Sequence, residues 1–529
     1  MPPPQAHDPA PRIRSWWGWG YEDRMVDPAH LGPVVRETLG FGAQEPEAPA
    51  RLEDVRLPAP RLATPWPAGT RDRIVHAKGA AYRDIVRAFR GQVDHPPDAV
   101  ARPRSEAEVE DVLAWAGGAN CAVVPYGGGS SVVGGVELRD LGSFDGVISL
   151  DLTALDRVLE VDGISRAARI QAGAAGPGLE AQLRPHGLSM RFFPQSFECS
   201  TLGGWIATRA GGHFASLWTH VDDLVESVRA ITPVGTWASR RLPASGAGVS
   251  PDRMLLGSEG TLGVITEAWV RVQPRPRQRV GAAVRFATFL GGAEAVRAIV
   301  QARLHPANCR LIDALEAATP GAGPADAEGA LLVLGFEAVD EDPRPVDAAL
   351  RRALELCRAH GGTADPAPAA GSGGADAAAR WRDAFMALPY LRDALIPWGV
   401  LSETFETAIT WDRFPAFHAQ VLGATRAALG EPCRVTCRLT HVYPDGPAPY
   451  YTVTAPAPRG DEVARWDAVK RAASAAILAC GGTITHHHAV GRDHRPSYDR
   501  QRPDPFAAAL AGARAAVDPR GLLNPGVLL

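Results

Sequence analysis

The chain has 529 residues, of which 46% are hydrophobic and 22% charged, and its formal net charge is −4 at pH 7. This profile is typical of a soluble globular protein, and without a basic run interleaved with aromatic residues it argues against a nucleic-acid partner. No apolar stretch approaches the ~18 residues that span a bilayer and no signal core opens the chain, so a cytoplasmic protein is expected.

The N-terminal region is rich in proline and carries the run Ser15-Trp16-Trp17-Gly18-Trp19-Gly20-Tyr21. So many aromatic side chains must pack on something, which predicts an ordered arm. A first α/β unit follows. Ser105 precedes an acidic, apolar-periodic segment and predicts a helix start, and Cys121–Pro125 predicts a short buried strand.

Beyond about Pro274 the pattern changes to strands such as V-G-A-A-V-R-F and A-L-L-V-L-G-F-E-A, alternating with helices, which predicts a separate α+β unit. We place the boundaries at residues 1–93, 94–275, 276–475 and 476–529. The low-complexity segment Gly361–Ala379 is predicted to be a mobile loop. The seven cysteines are odd in number and scattered, which predicts free thiols in a reducing compartment.

Three polar, glycine-bearing loops precede residue 275. Glycines can adopt positive φ and let backbone N–H groups approach an anion closely, so a series of such loops suits a dinucleotide. Neither a Rossmann fingerprint nor a P-loop is present. The residues predicted to bind this cofactor are Pro125, Tyr126, Gly127, Gly128, Gly129, Ser130, Ser131; Gln195, Ser196, Phe197, Glu198, Cys199, Ser200, Thr201; Thr208, Arg209, Ala210, Gly211; and Glu259, Gly260, Thr261, Leu262, Gly263, Val264, Ile265.

Three consecutive histidines, His486, His487 and His488, lie near the C-terminus in G-G-T-I-T-H-H-H-A-V-G. The preceding Thr and Ile residues predict a short strand, on which side chains alternate between faces. His486 and His488 are then expected to point one way and His487 the other. Because imidazole carries protons or metals near neutral pH, the triplet is a candidate for either role.

The loops resemble those of the vanillyl-alcohol-oxidase-type flavoproteins. P-Y-G-G-G-S-S is similar to the pyrophosphate loop of that family, and G-S-E-G-T-L-G-V-I-T-E is similar to its third FAD segment. The resemblance implies an α+β protein with a two-subdomain FAD-binding fold (94–275) and an α+β cap or substrate domain (276–475). Many relatives attach FAD through a histidine in the first loop. Gly129-Ser130 stand there in this chain, so non-covalent FAD is expected.

Within that family, the chain most resembles the alkylglycerone-phosphate synthases (alkyl-dihydroxyacetonephosphate synthases), through W-G-W-G-Y-E-D, F-E-C-S-T-L-G-G-W-I-A-T-R-A-G-G, T-F-E-T-A-I-T-W-D-R and H-H-H-A-V-G. Members exchange the acyl chain of acyl-dihydroxyacetone phosphate for a fatty alcohol, using the flavin without net redox change. The resemblance implies an FAD-dependent transferase with a lipid-like, phosphate-bearing substrate. A homodimer in peripheral contact with membranes is expected on the same ground.

The same resemblance implies roles for individual residues. Arg310 and Arg392 match arginines important in the synthases, and a guanidinium can grip phosphate oxygens bidentately. Pairing with the nearby Asp313 and Asp393 is the alternative for these arginines. Tyr450 falls at the catalytic tyrosine, with Tyr451 beside it as the other candidate. A phenol is a poor base unless a neighbour lowers its pKa, and the histidine triplet is the expected supplier.

A 2-hydroxy-acid oxidase or dehydrogenase of the same flavin family is the alternative reading, and a flavin-binding protein without catalysis is a third. The oxidoreductases hold a divalent metal with two histidines and a carboxylate. His441 stands at the first of these positions, but His487 replaces the carboxylate. A metal on His486 and His488 is therefore the alternative to our expectation of no metal.

Overall fold

The computed structural model describes residues 12–317, 329–364 and 386–529. Most of the segment predicted to be a mobile loop lies outside the described residues. The strands are β1 (Ala99–Ala101), β2 (Cys121–Tyr126), β3 (Gly146–Asp151), β4 (Val158–Asp162), β5 (Ala167–Gln171), β6 (Leu188–Ser189), β7 (Val225–Thr232), β8 (Gly235–Ala238), β9 (Val264–Arg271), β10 (Gln273–Pro274), β11 (Gln278–Phe286), β12 (Asn308–Asp313), β13 (Ala330–Ala338), β14 (Thr363–Ala364), β15 (Val400–Glu406), β16 (Arg434–Val442) and β17 (Pro447–Pro456).

The helices are α1 (Thr70–Val75), α2 (Tyr82–Phe89), α3 (Glu106–Gly118), α4 (Gly176–Leu183), α5 (Leu202–Thr208), α6 (Pro251–Leu255), α7 (Phe289–Gln301), α8 (Ala314–Ala317), α9 (Arg344–Ala359), α10 (386–395), α11 (Phe414–Leu429), α12 (Glu462–Ala479), α13 (Arg495–Gln501) and α14 (Asp504–Val517). In the described ranges, no helix is both long enough and apolar enough to cross a membrane.

Apart from the short antiparallel pair β6-β10, the strands form two sheets before residue 275 and one large sheet after it. The first is parallel, in the order β1-β3-β2, and the second is antiparallel, in the order β4-β5-β9-β7-β8. The large sheet is antiparallel, with the order β14-β11-β13-β12-β16-β17-β15. The predicted α+β architecture is thus confirmed.

Alternation along the large sheet separates a core face from a cavity face. Leu332 and Leu334 are buried in the core with α7 and α9, whereas Leu331 and Val333 between them line a cavity. Successive side chains of a strand point to opposite faces, so the same rule separates the two candidate tyrosines. Tyr451 belongs to the core and Tyr450 lines the cavity.

The predicted ordered arm is confirmed. Trp16, Trp17 and Trp19 are buried in the same core as α2 and the large sheet. The arm is held by polar contacts as well: Trp19 N donates to the Asp393 carboxylate at 2.5 Å, and Arg14 reaches the carbonyl of Gly128 at 2.5 Å. The first of these contacts joins the N-terminus to α10, and the second joins it to the first glycine loop.

Two local predictions are also confirmed. Helix α3 begins after Ser105, whose hydroxyl accepts from the N–H of Glu108 at 3.3 Å. Strand β2 covers the predicted segment Cys121–Pro125 and extends to Tyr126, immediately before the first glycine loop. Every cysteine is a free thiol, and all but Cys433 and Cys480 are buried.

Candidate active site

A cavity of ≈ 1180 Å³ lies between the glycine loops and the cavity face of the large sheet. One wall contains the loops that follow β2, precede α5 and precede β9. The opposite wall contains alternate residues of β12, β15, β16 and β17, including Arg310, Thr404, Arg438 and Tyr450. Apolar side chains of the N-terminal region and of α10 also line the cavity, namely Leu31, Val34, Leu39, Leu388, Leu391 and Leu395.

The first glycine loop is packed so closely that side chains are excluded. A Cβ added to Gly128 would lie 1.6 Å from the carbonyl oxygen of Cys199, and one on Gly127 would lie 2.3 Å from Thr201 Oγ1. Gly129 has φ +64°, a conformation that favours glycine. The loop therefore lies flat against the segment before α5 and presents its backbone to the cavity.

The chemistry of this loop fits a pyrophosphate. Within the part of the chain that the structure describes, no backbone N–H from Gly127 to Ser131 donates a hydrogen bond. These donors line the cavity, and buried N–H groups are normally paired. A concave row of unused N–H groups attracts an anion such as the diphosphate of FAD.

Most of the predicted cofactor residues line the cavity: Pro125, Tyr126, Gly127, Gly128, Gly129, Ser130, Ser131, Gln195, Ser196, Ser200, Thr201, Thr208, Ala210, Gly211, Glu259, Gly260, Gly263 and Ile265. The other seven do not line the cavity, namely Phe197, Glu198, Cys199, Arg209, Thr261, Leu262 and Val264. Their side chains serve the fold, since motif membership does not decide which way a side chain points.

The side chains of these seven residues are occupied elsewhere. Glu198 pairs with Arg24 at 2.7 Å, and Arg209 pairs with Asp222 at 2.8 Å. Thr261 donates to the carbonyl of Ser258 at 2.7 Å. Phe197 packs over the start of α4, Cys199 joins the large core, and Leu262 and Val264 lie in the cores beneath β9.

Glu259, by contrast, lines the cavity and fastens the C-terminal segment to it. Its two carboxylate oxygens accept from the N–H groups of Val490 and Gly491, each at 2.9 Å. Burial raises the pKa of Glu259 to about 7, opposed by these two hydrogen bonds. This carboxylate sets where the chain runs just after the histidine triplet.

The strand predicted for the triplet is wrong, because the backbone N–H groups of the three histidines donate to the Glu406 carboxylate. Glu406, the last residue of β15, accepts hydrogen bonds from the N–H groups of all three histidines and from the Thr485 hydroxyl. The N–H groups of His486, His487 and His488 lie 2.5, 3.1 and 2.8 Å from its oxygens. With these donors turned towards one carboxylate, no strand ladder can form and the rings fan out.

The fanning places two adjacent histidines beside the candidate tyrosine. The His487 ring lies 6.1 Å from that of Tyr450 at 22°, and the His488 ring lies 5.7 Å away at 84°. His487 and His488 line the cavity with Tyr450. His486 points elsewhere, to Tyr443 and His220. The expected pairing of His486 with His488 on one face is therefore wrong.

Tyr450 obtains its electrostatic support from Arg438 rather than from the histidines. Arg438 stands opposite Tyr450 in the β16–β17 register, and its guanidinium lies 4.1 Å from the centre of the ring. The Tyr450 hydroxyl donates to Thr404 Oγ1 at 3.0 Å. Burial raises the pKa of Tyr450, while Arg438 and the Thr404 hydrogen bond lower it in part. The histidines contact only the face and edge of the ring.

The buried histidines are held in the neutral form. Burial, followed by the neighbouring imidazoles, lowers the pKa of His486 and His487 well below the usual value. Burial also lowers the pKa of His488, and that of His441 to about 4. Neutral imidazoles carry one donor and one acceptor nitrogen each, so at neutral pH they can accept protons from a reacting group.

The two predicted arginines differ in their surroundings. Arg392 lines the cavity, but its Nε and one terminal nitrogen donate to Asp393 at 3.0 and 2.7 Å. The pair of N–H donors expected to bind a phosphate is therefore already bound to this carboxylate. Asp313 instead accepts from the N–H groups of Cys437 and Glu316, and does not hold Arg310. Burial, followed by the charge of Arg438, lowers the pKa of Arg310. A bound anion in the cavity would raise this pKa again, because it stabilises the charged guanidinium.

A metal on His486 and His488 does not match the geometry. The histidine nitrogens that approach one another within 4.8 Å belong to His441, His486 and His487. Three of those nitrogens already have partners: His441 Nε2 lies 2.9 Å from Gly212 O, and the Nδ1 atoms of His486 and His487 lie 2.9 Å apart. The group is therefore built as a hydrogen-bonded network.

Glu406, Arg438, Thr404 and Asn524 were missed from the sequence, although all but Glu406 line the cavity. Glu406 lies in the segment T-F-E-T-A-I-T-W-D-R, which was used only for its resemblance. Arg438 lies twelve residues before Tyr450 and carried no motif. The pairing of β16 with β17 brings Arg438 and Tyr450 together. A prediction that these two segments form a β-hairpin could have found this contact.

Comparisons with known proteins show two flavoprotein domains in the chain. Residues 97–239 match the FAD binding domain, and residues 275–528 match the C-terminal domain of FAD linked oxidases. The alkyldihydroxyacetonephosphate synthase of Dictyostelium discoideum is 29% identical, covering 96% of this chain and 82% of its own. That of Caenorhabditis elegans is also 29% identical, covering 91% and 89%.

A solved alkyldihydroxyacetonephosphate synthase structure superimposes with a TM-score of 0.80 at 24% identity, covering 97% of this chain and 98% of the other. This likeness shows the fold. The FAD binding domain, with the glycine loop and its unused N–H groups, identifies the cofactor as FAD.

Proposed function

Because the chain carries the FAD binding domain and the C-terminal domain of FAD linked oxidases, we propose that it is an FAD-dependent transferase of the alkylglycerone-phosphate synthase type. It exchanges the acyl chain of acyl-dihydroxyacetone phosphate for a fatty alcohol, the reaction that makes the ether bond of ether lipids. Its relatives named alkyldihydroxyacetonephosphate synthase extend over most of the chain.

The observation that carries the proposal is the composition of the cavity. The glycine loop, the pair Arg310 and Arg438, and Tyr450 with two histidines all face one space. That space continues between leucines of the N-terminal region and of α10. A phosphate, a reacting carbon and a long apolar chain thus each meet surroundings of matching polarity.

In this proposal Arg310 and Arg438 hold the phosphate. Both guanidiniums are buried on adjacent strands, β12 and β16, and Arg438 also pairs with Glu316 at 2.8 Å. An entering dianion relieves the repulsion that Arg438 exerts on Arg310. Charge-assisted hydrogen bonds between arginine and phosphate are short and strong. Arg392, committed to Asp393, instead anchors α10 and the N-terminal arm at the edge of the cavity.

Tyr450, His487 and His488 handle protons at the carbon next to the ketone and at the incoming alcohol. Tyr450 begins as a neutral phenol, since burial raises its pKa. Arg438 stabilises the phenolate when the proton leaves. The neutral histidines beside the ring accept the proton of the incoming alcohol. FAD, when bound, supplies an acceptor for an electron pair at the reacting carbon and returns it without net redox change.

The deciding experiment measures alcohol exchange on acyl-dihydroxyacetone phosphate under anaerobic conditions, without an electron acceptor. We expect labelled fatty alcohol to enter the lipid product and labelled fatty acid to be released. Tyr450→Phe is the test variant and Tyr498→Phe, on α13, the matched control. Turnover of a 2-hydroxy acid with reduction of an acceptor, and no exchange, would show that the oxidoreductase alternative is correct.

A cytoplasmic location, a homodimer and peripheral membrane contact belong to the same proposal. The substrate and the alcohol both partition into lipid, which supports transient membrane contact. Size-exclusion chromatography with light scattering tests the dimer, and flotation with lipid vesicles tests the membrane contact.

A further inference from the structure

Beyond the cavity, three histidines form a continuous hydrogen-bonded chain towards the surface. The Nδ1 atoms of His487 and His486 lie 2.9 Å apart, and His486 Nε2 lies 3.1 Å from His220 Nε2. His220 Nδ1 lies 3.0 Å from the carbonyl oxygen of Arg209. His487 lines the cavity, whereas His220 is only half-buried and Arg209 is exposed.

The carbonyl at the outer end fixes the direction of this chain. Arg209 O can only accept, so His220 Nδ1 must carry the hydrogen, and a neutral His220 then accepts at Nε2. His486 therefore donates from Nε2 and accepts at Nδ1 from the Nδ1–H of His487. The consequence is that His487 keeps its Nε2 as an acceptor, and every hydrogen bond of the chain points outward.

A side branch is compatible with this order. The Tyr443 oxygen lies 2.8 Å from His486 Nε2, so it can share the hydrogen that His486 donates. The Tyr443 hydroxyl can donate to Thr219 Oγ1 at 2.8 Å. Burial raises the pKa of Tyr443, so the phenol stays protonated and does not break the chain.

We propose that His487, His486 and His220 form a relay that carries the proton of the incoming alcohol from the cavity to solvent. This inference rests on the proposed function. In the exchange, the alcohol oxygen bonds to the carbon that the acyl oxygen leaves, and the products are an ether, a carboxylate and one proton. That proton must leave a largely apolar cavity once per turnover.

The relay balances as one proton in and one proton out. Nε2 of His487 takes a proton from the alcohol, and its Nδ1 hydrogen passes to His486 Nδ1. His486 passes its Nε2 hydrogen to His220 Nε2, and His220 releases its Nδ1 proton to water. The three rings then return to their starting tautomers before the next turnover. No bond other than N–H and O–H bonds changes along the relay, so His220 and His486 are positioning residues and touch no substrate.

The kinetic test uses His220→Gln in the FAD-bound enzyme at low buffer concentration. We expect kcat to fall about 100-fold, at the lower end of the range for positioned proton-transfer groups, with KM and FAD content unchanged. Added imidazole should restore the rate in proportion to its concentration. His186→Gln, at an exposed histidine, is the control and should behave like the wild type.

If His220 has a purely structural role, His220→Gln should lose activity that added imidazole does not restore. An unchanged kcat in this variant would also refute the relay. Nitrogen-15 NMR of labelled histidines is independent of turnover. It should show His220 protonated at Nδ1 and His486 at Nε2, assigned by comparison with His220→Gln. Absence of exchange activity in the wild type would refute the proposed function. Even then, the opposite tautomer of His220 would still refute the relay.

Discussion

Replacing Glu406 by glutamine removes the charge that organises the histidine triplet while preserving its shape. The carboxylate accepts four hydrogen bonds, from the Thr485 hydroxyl and from the N–H groups of His486, His487 and His488. An amide has only one oxygen. With that oxygen at Oε1, three bonds remain, and the NH₂ group faces the N–H of His486, which loses its partner.

The expected cost follows from this count. Losing one charge-assisted hydrogen bond and orphaning a buried donor costs about 3 kcal/mol. Since each 1.36 kcal/mol is a factor of ten, the amides of residues 486–488 should exchange with deuterium roughly 100-fold faster. Burial raises the pKa of Glu406, but His488 and His486, followed by the hydrogen bonds from the Thr485 hydroxyl and the His487 N–H, lower it to about 2. Its stabilisation is therefore fully present at neutral pH and is lost only as the pH falls towards 2.

Hydrogen–deuterium exchange with mass spectrometry on the peptide spanning residues 481–492 measures this effect. Glu403→Gln is the matched control, because Glu403 is a buried carboxylate of the same strand that instead accepts from Trp466. Alcohol exchange should fall in Glu406→Gln and persist in the control. Unchanged protection of the triplet together with full activity would refute the assignment of Glu406 as the residue that positions the histidines.

Four further outcomes are expected. Tyr450→Phe should lower exchange by about 10²–10⁴-fold with FAD still bound, as judged by the flavin spectrum. Arg438→Met should raise the pKa of Tyr450 further, shifting the rise of kcat/KM to higher pH; an unshifted profile would remove Arg438 from this role. Gly128→Ala should yield protein without flavin, because its Cβ would meet Cys199 O at 1.6 Å, while Gly178→Ala, with open space, should retain it. Denaturation should release all flavin into the supernatant, and elemental analysis should find no stoichiometric metal; bound flavin or metal would contradict the respective expectation.

Much of the cofactor site could be predicted from the sequence because it is local. The first loop follows β2 without interruption, and its three glycines bring unused N–H groups to one place whatever the rest of the chain does. The same locality limits the prediction. Leu262 and Val264 belong to a recognisable motif, yet they face the core, since side-chain direction depends on what packs beneath β9.

The alternation rule succeeded on one segment and failed on another. On β17 it separates Tyr450 from Tyr451, because both neighbours, β15 and β16, pair with that strand and hold it extended. At His486–His488 the backbone donors are taken by a side chain, so the strand expected from Thr483, Ile484 and Thr485 does not form.

The sequence by itself indicated that FAD is bound, and it predicted a loop for its diphosphate and a tyrosine and a histidine triplet for the chemistry. Only the tertiary structure decided how they act together. Glu406 lies 80 residues before His486, and Arg438 meets Tyr450 only through the pairing of two strands. Contacts between distant segments depend on how the sheet pairs and how the chain packs, so no local pattern could have predicted them.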